Sequence, residues 1–120
     1  MGKMLIGTDD YGLYQAVSAT LESLGLETVW ALNGLEVIHE AEAEPADAVF
    51  LDSAIGVINL FECCAALRGT PLVDKKLPIF IITSNEIDPR KVEKYALAGV
   101  VPREIDAFAL RELLSRAGCA

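Results

Sequence analysis

Five short apolar runs punctuate the chain: MLI at 4–6, TVWAL at 28–32, AVFL at 48–51, PIFII at 78–82 and GVV at 99–101. None alternates apolar with polar positions, and each is rich in Val, Ile or aromatic residues. Strands covered on both faces look like this, because neither face meets water. The gaps carry helical spacing. Leu13, Val17, Leu21 and Leu24 recur at helical intervals, and Gly25 is placed to end that helix. Asn33 caps a second helix containing Leu35 and Ile38, and a third runs from about Asn59 through LFECCAAL. A fourth opens on Asp88 with Pro89 at its first position and closes on Gly99. The fifth takes Asp106 as cap, with Leu110, Leu113 and Leu114 on one face.

The result is a strand–helix unit repeated five times. Such alternation predicts a doubly wound parallel sheet, helices on both faces, joined by right-handed crossovers. Ligands of open sheets collect at the carboxyl ends of the strands. The 120 residues, 52% of them apolar, suit one domain with a real core, taken as 1–120. No linker, repeat or low-complexity segment interrupts it.

Charge narrows the partners. A formal net charge of -8 opposes direct nucleic-acid binding, which needs surplus Lys and Arg. It suits cations or basic partner surfaces. No apolar run approaches a membrane span, and the first residues do not read as a signal peptide. Three cysteines, Cys63, Cys64 and Cys119, form no CxxC and no even disulfide set. A reducing, cytoplasmic setting follows.

The strand ends hold the chemistry. Thr8, Asp9 and Asp10 follow the first run, Asp52 the third, Thr83 and Ser84 the fourth, and Arg103 lies near the fifth. In a doubly wound sheet the first, third and fourth strands are neighbours, so Asp9 and Asp52 should converge with Thr83 beside them. Carboxylates so placed suit Mg²⁺, which takes oxygen ligands and keeps several waters. A carboxylate can also act as a nucleophile and form an acyl phosphate.

TDD after the first run, LNG before the second helix, VFLD at the third strand and FIITS at the fourth together resemble the receiver domain of two-component response regulators. The resemblance covers nearly the whole chain. It implies a flavodoxin-like five-stranded sheet of order 2-1-3-4-5, and a signalling module rather than an enzyme. It also implies a phosphoryl group accepted on Asp52 from a partner histidine kinase or phosphotransfer protein, with output to a downstream effector. Mg²⁺ would be held by Asp9, Asp52 and the Ala54 carbonyl, and Thr83 would follow the phosphoryl group. Shortening the preceding loop by three residues places Arg103, rather than Asp106, at the family's fifth-strand Lys. The departures are several. Thr8 replaces one of the paired acids, which lowers repulsion near Asp52 but should weaken Mg²⁺ binding. Gly56-Val57 replaces Pro-Gly, Leu60 replaces a Gly, and Val100 replaces the fifth-strand aromatic, so the usual aromatic switch is expected to be absent.

These departures support an alternative of another class: a pseudo-receiver that signals as a protein-interaction module without phosphorylation. A flavodoxin-like cofactor binder ranks third, since no Gly-rich or Ser/Thr-rich phosphate loop follows the first strand. Plainer readings apply elsewhere. Asp10 reads as a cap or a solvated acid, and Thr83 could bond back to its own loop. Lys75 and Lys76 read as solvated loop charge, His39 as a surface residue and Trp30 as packing. One of Cys63 and Cys64 should face inward, and Cys119 reads as an exposed thiol. The chain is either a free-standing regulator or a piece of a longer protein.

Overall fold

A computed structural model describes residues 3–119. Strands and helices alternate without exception: β1 (Lys3–Gly7), α1 (Tyr11–Ser23), β2 (Glu27–Ala31), α2 (Gly34–Ala43), β3 (Ala48–Asp52), α3 (Leu60–Gly69), β4 (Ile79–Ile82), α4 (Pro89–Lys94), β5 (Gly99–Val101) and α5 (Ala107–Arg116). All strand pairs are parallel, in the order β2-β1-β3-β4-β5. This is the flavodoxin-like sheet expected from the sequence.

Strand side chains point alternately to the two faces, and both faces are covered. Met4, Ile6, Phe50, Phe80 and Ile82 face α1 and α5, meeting Leu13, Val17, Leu21, Leu110 and Leu114. Leu5, Val49, Leu51, Ile79 and Ile81 face the other way, against Val37 and Ala41 of α2 and Cys63, Cys64 and Leu67 of α3. Two buried layers explain why the strands read as continuous apolar runs. Phe50 and Phe80 are paired in register on β3 and β4, and their rings stack at 4.9 Å.

The helix ends follow their sequence signals. Asp10, Asn33, Asn59, Asp88 and Asp106 each cap the helix that follows. At α3 the cap is reciprocal: Asn59 accepts from the Glu62 N–H while Glu62 accepts from the Asn59 N–H. Helix α1 stops at Gly25, whose φ of +82° no side chain favours. The Gly25 N–H bonds the Glu22 carbonyl and the Leu26 N–H bonds the Leu21 carbonyl, closing the last turn.

Four expectations need correction. Helix α4 does not run to Gly99. It ends at Lys94, because Tyr95 caps it and Ala96 turns left-handed at φ +51°. The guanidinium of Arg68 fixes that turn by donating to the carbonyls of Tyr95 (2.8 Å) and Ala96 (2.9 Å). Strand β2 lies one residue earlier than the TVWAL run, leaving Leu32 exposed. The cysteines also differ. Cys63 and Cys64 are both fully buried, and burial pushes their thiols up to about 12 and about 11. Cys119 is half-buried, with its Sγ–H directed at the Asp47 carbonyl. Lys75 is not a free loop charge, since its Nζ donates to the Arg68 carbonyl. Among the described residues no helix is long and apolar enough to cross a membrane.

Candidate functional site at the carboxyl edge of the sheet

Strand β3 carries Asp52 to the carboxyl edge as its last residue, where only 1% of it meets solvent. A buried carboxylate is costly unless its oxygens are bonded, and here both are. Oδ2 accepts from the Thr8 hydroxyl at 2.7 Å. Oδ1 accepts from the Ala54 N–H at 2.9 Å and from the Arg103 guanidinium at 2.8 Å. Burial alone would raise the Asp52 carboxyl. The Ala54 N–H, the Arg103 guanidinium and the Thr8 hydroxyl outweigh it and hold the group below its usual value. Asp52 is therefore an anion at neutral pH.

Thr8 is fixed on every side. Its N–H bonds the Ala31 carbonyl at 3.0 Å, and its own carbonyl accepts from the Trp30 indole at 2.8 Å. Its hydroxyl oxygen accepts from the Asp10 N–H at 3.0 Å while the O–H donates to Asp52. Trp30 in turn stacks on Tyr14 at 4.5 Å, so it packs and also anchors the end of β1. At the position where two neighbouring acids would repel each other, a hydroxyl instead donates to the one buried acid.

Arg103 follows β5 and reaches across the sheet edge. One terminal nitrogen bonds Asp52, and the other lies 3.5 Å from Asp10 Oδ2. Of the two readings of Asp10, cap or solvated acid, the structure shows the cap: its Oδ1 accepts from the Leu13 N–H. Its second oxygen faces Arg103, a role with no sequence signal because the partners lie far apart in the chain. Asp106 caps α5 through the N–H groups of Phe108 and Ala109.

The remaining candidates are placed less intimately. Thr83 is buried beyond β4, beside Asp52's register partner Ile82. Its hydroxyl accepts from the Asn85 N–H at 3.1 Å, the local bond the plainer reading anticipates. Asp9 is exposed, two residues beyond the end of β1, and among the described residues its side chain makes no hydrogen bond or ion pair. The Asp52 oxygens meet Thr8, Ala54 and Arg103 instead. No cluster of three or more His, Cys, Asp or Glu side chains fit for a metal occurs among the described residues. The oxygen groups these residues could offer a divalent cation are the Asp9 and Asp52 carboxylates and the Ala54 carbonyl, with the Arg103 guanidinium seated on Asp52. An oxygen-only set of that chemistry suits Mg²⁺, which would compete with Arg103 for Asp52.

The loop after β3 is strained. Val57 holds φ at +72° with 70% of its surface exposed. A β-branched residue rarely adopts that conformation. The loop is tied down by the Gly34 N–H, which bonds the Gly56 carbonyl at 3.1 Å and links it to the start of α2.

Comparison with known proteins gives a consistent picture. No family model matches the sequence. The alkaline phosphatase synthesis transcriptional regulatory protein PhoP of Bacillus subtilis is 27% identical over 112 residues, covering 88% of this chain and 45% of the relative. The chain spans about half the length of the curated relatives it matches. The chemotaxis response regulator CheY4 of Vibrio cholerae superposes with a TM-score of 0.86 at 27% identity, covering 98% of both chains. The receiver domain of the sensor histidine kinase PA1611 from Pseudomonas aeruginosa PAO1, solved with a magnesium ion coordinated in its active site cleft, superposes with a TM-score of 0.84. It is 20% identical, again over 98% of both chains, so this likeness speaks to the fold.

Proposed function

This chain has the sequence pattern and fold of a response regulator receiver domain, and we propose that it accepts a phosphoryl group on Asp52 from a histidine kinase or phosphotransfer protein. The observation that carries this reading is the set of donors on Asp52. They keep a buried carboxylate ionised at the sheet edge where ligands of this fold collect. An ionised carboxylate is a competent nucleophile. In the transfer, a carboxylate oxygen of Asp52 bonds to phosphorus and the phosphorus–nitrogen bond of the donor's phosphohistidine breaks. Its electron pair returns to the imidazole, which then takes up a proton.

The product is an acyl phosphate carrying roughly two negative charges and three acceptor oxygens. Arg103 supplies positive charge to it, and Thr83 a hydroxyl. Asp9, Asp52 and the Ala54 carbonyl would hold Mg²⁺, which supplies charge neutralisation when bound. Output passes to a downstream effector, attached or separate. The unit is one domain over 1–120, acting without direct nucleic-acid or membrane contact.

A second reading has its own observation. Every described oxygen contact of Asp52 is already made, and the group is 1% exposed. Such a site also suits a pseudo-receiver that works by protein contact alone. Incubation with a small phosphoramidate and Mg²⁺, followed by intact mass measurement, separates the two. One added phosphoryl group, absent in Asp52→Asn, is expected. No adduct, with no Mg²⁺ binding at millimolar concentration, leaves the pseudo-receiver. An adduct that survives Asp52→Asn overturns the site assignment.

A further inference from the structure

At the opposite edge of the sheet, where β4 and β5 begin, lies a cavity of about 480 Å³. Leu77 and Leu113 contribute to its apolar wall, and Arg68, Lys75, Lys76 and Arg116 line it. No Asp or Glu does. The chain carries 18 acidic and 10 basic residues, so four of its ten cations gather at one cavity free of carboxylates. Three other cavities carry Glu62, Glu112 and Glu42.

Two of the cations are tied to the fold and two are not. Arg68 is half-buried and, among the described residues, forms no ion pair with a carboxylate. Three of its N–H groups donate to the carbonyls of Lys75, Tyr95 and Ala96. A guanidinium has five N–H donors, so two remain. Lys75 is held by its bond to the Arg68 carbonyl. The side chains of Lys76 and Arg116 make no hydrogen bond or ion pair among the described residues and stand at the exposed rim.

Part of this charge answers the helices. The carboxyl ends of α3, α4 and α5 all reach the cavity, and each presents roughly half a negative charge. Four full cations exceed that by more than two charges. The excess matches a phosphate dianion or diphosphate. The apolar wall and the volume, well within the usual range for small-molecule sites, match a compact ring system attached to it.

We propose that this cavity binds a small phosphate ester with an apolar body, of the nucleoside diphosphate class. The site is independent of Asp52, so its failure and that of phosphoryl acceptance are distinguishable. The test is calorimetry and amide NMR on the full chain with ADP, adenosine and inorganic phosphate, at low and high NaCl. ADP should bind and shift amides at 75–77, 96–98 and 113–117, while adenosine does not bind and phosphate binds more weakly. Affinity should fall with salt, as expected for a site built from partly exposed charge. Lys76→Gln with Arg116→Gln should weaken ADP by about tenfold or more, with thermal unfolding and Asp52 phosphorylation unchanged. No ADP binding at millimolar concentration overturns the proposal, as does binding undiminished in the double variant or shifts centred on Asp52. Cosedimentation with phosphatidylglycerol vesicles in place of ADP binding overturns it too, by assigning the charge to a lipid headgroup.

Discussion

Replacing Arg103 with Met puts the carboxyl edge of the sheet to a quantitative test. The substitution keeps an apolar stem and removes both the charge and every donor. It breaks the 2.8 Å bond to Asp52 Oδ1 and the 3.5 Å pairing with Asp10. Hydrogen bonds to charged groups contribute about 1.5–3 kcal/mol. Arg103 is 34% exposed, which places this one near the lower end, about 1.5 kcal/mol. Asp52 keeps the Ala54 N–H and the Thr8 hydroxyl, so the folded state should lose about 1 kcal/mol. A divalent cation that must displace the guanidinium gains what that bond had cost it. Since 1.4 kcal/mol is tenfold in affinity, Arg103→Met should bind Mg²⁺ about tenfold more tightly. Trp30, the one tryptophan, reports on the site because its indole bonds the Thr8 carbonyl. Titration of its fluorescence with MgCl₂ at fixed ionic strength, beside urea unfolding of both proteins, gives both numbers. A folded Arg103→Met with unchanged or weaker Mg²⁺ affinity would refute the competition between guanidinium and cation.

Acid should destabilise the protein through Asp52. Its carboxyl is lowered in the folded state, so its contribution is full above the ordinary unfolded value of about 4 and is lost as pH falls through the lowered folded value. Asp52→Asn should flatten the stability profile in that acid window, read by urea unfolding at stepped pH, and an unchanged slope would exclude Asp52 as its source. Val57→Gly should stabilise the fold by about 1 kcal/mol: a non-glycine residue in the left-handed region costs about 1–3 kcal/mol, offset in part by the greater freedom of glycine when unfolded. A lower thermal midpoint in Val57→Gly would mean that the φ of +72° carries no strain.

How much of this was legible depended on whether the cause was local. The strands could be read because both faces are buried, so each run lacks polar positions. The caps at Asn33, Asn59, Asp88 and Asp106 could be read because each bonds N–H groups within three residues. Helix α4 was overrun because its end is decided by Ala96 and by Arg68, which arrives from α3. The second face of Asp10 was invisible for the same reason, since Arg103 lies more than ninety residues away. Asp52, Thr83 and Arg103 could be singled out from their positions after strands, and the bond of Thr83 to its own loop is local enough to be foreseen, whereas the hold of Thr8 and Arg103 on Asp52 spans distant segments and was not. Cys63 and Cys64 are adjacent, yet both are buried in the same core cluster, with the Cys63 Sγ–H directed at the Gly34 carbonyl that opens α2.

The brevity of α4 has a consequence for motion. None of its six residues is buried. What fastens its far end is the Arg68 bonding to two carbonyls and the stacking of Tyr95 on Phe61 at 5.6 Å. Val92 and Tyr95 are only half-buried where they pack on the core, so detaching the helix exposes little apolar surface, and it should open as a separate unit below the global unfolding free energy. Hydrogen exchange should therefore run fastest, among the helices, at residues 91–94. Should this helix rearrange, the packing of Val92 and Tyr95 on the core is what it would give up, while the pairing of β4 with β3 and β5 need not change.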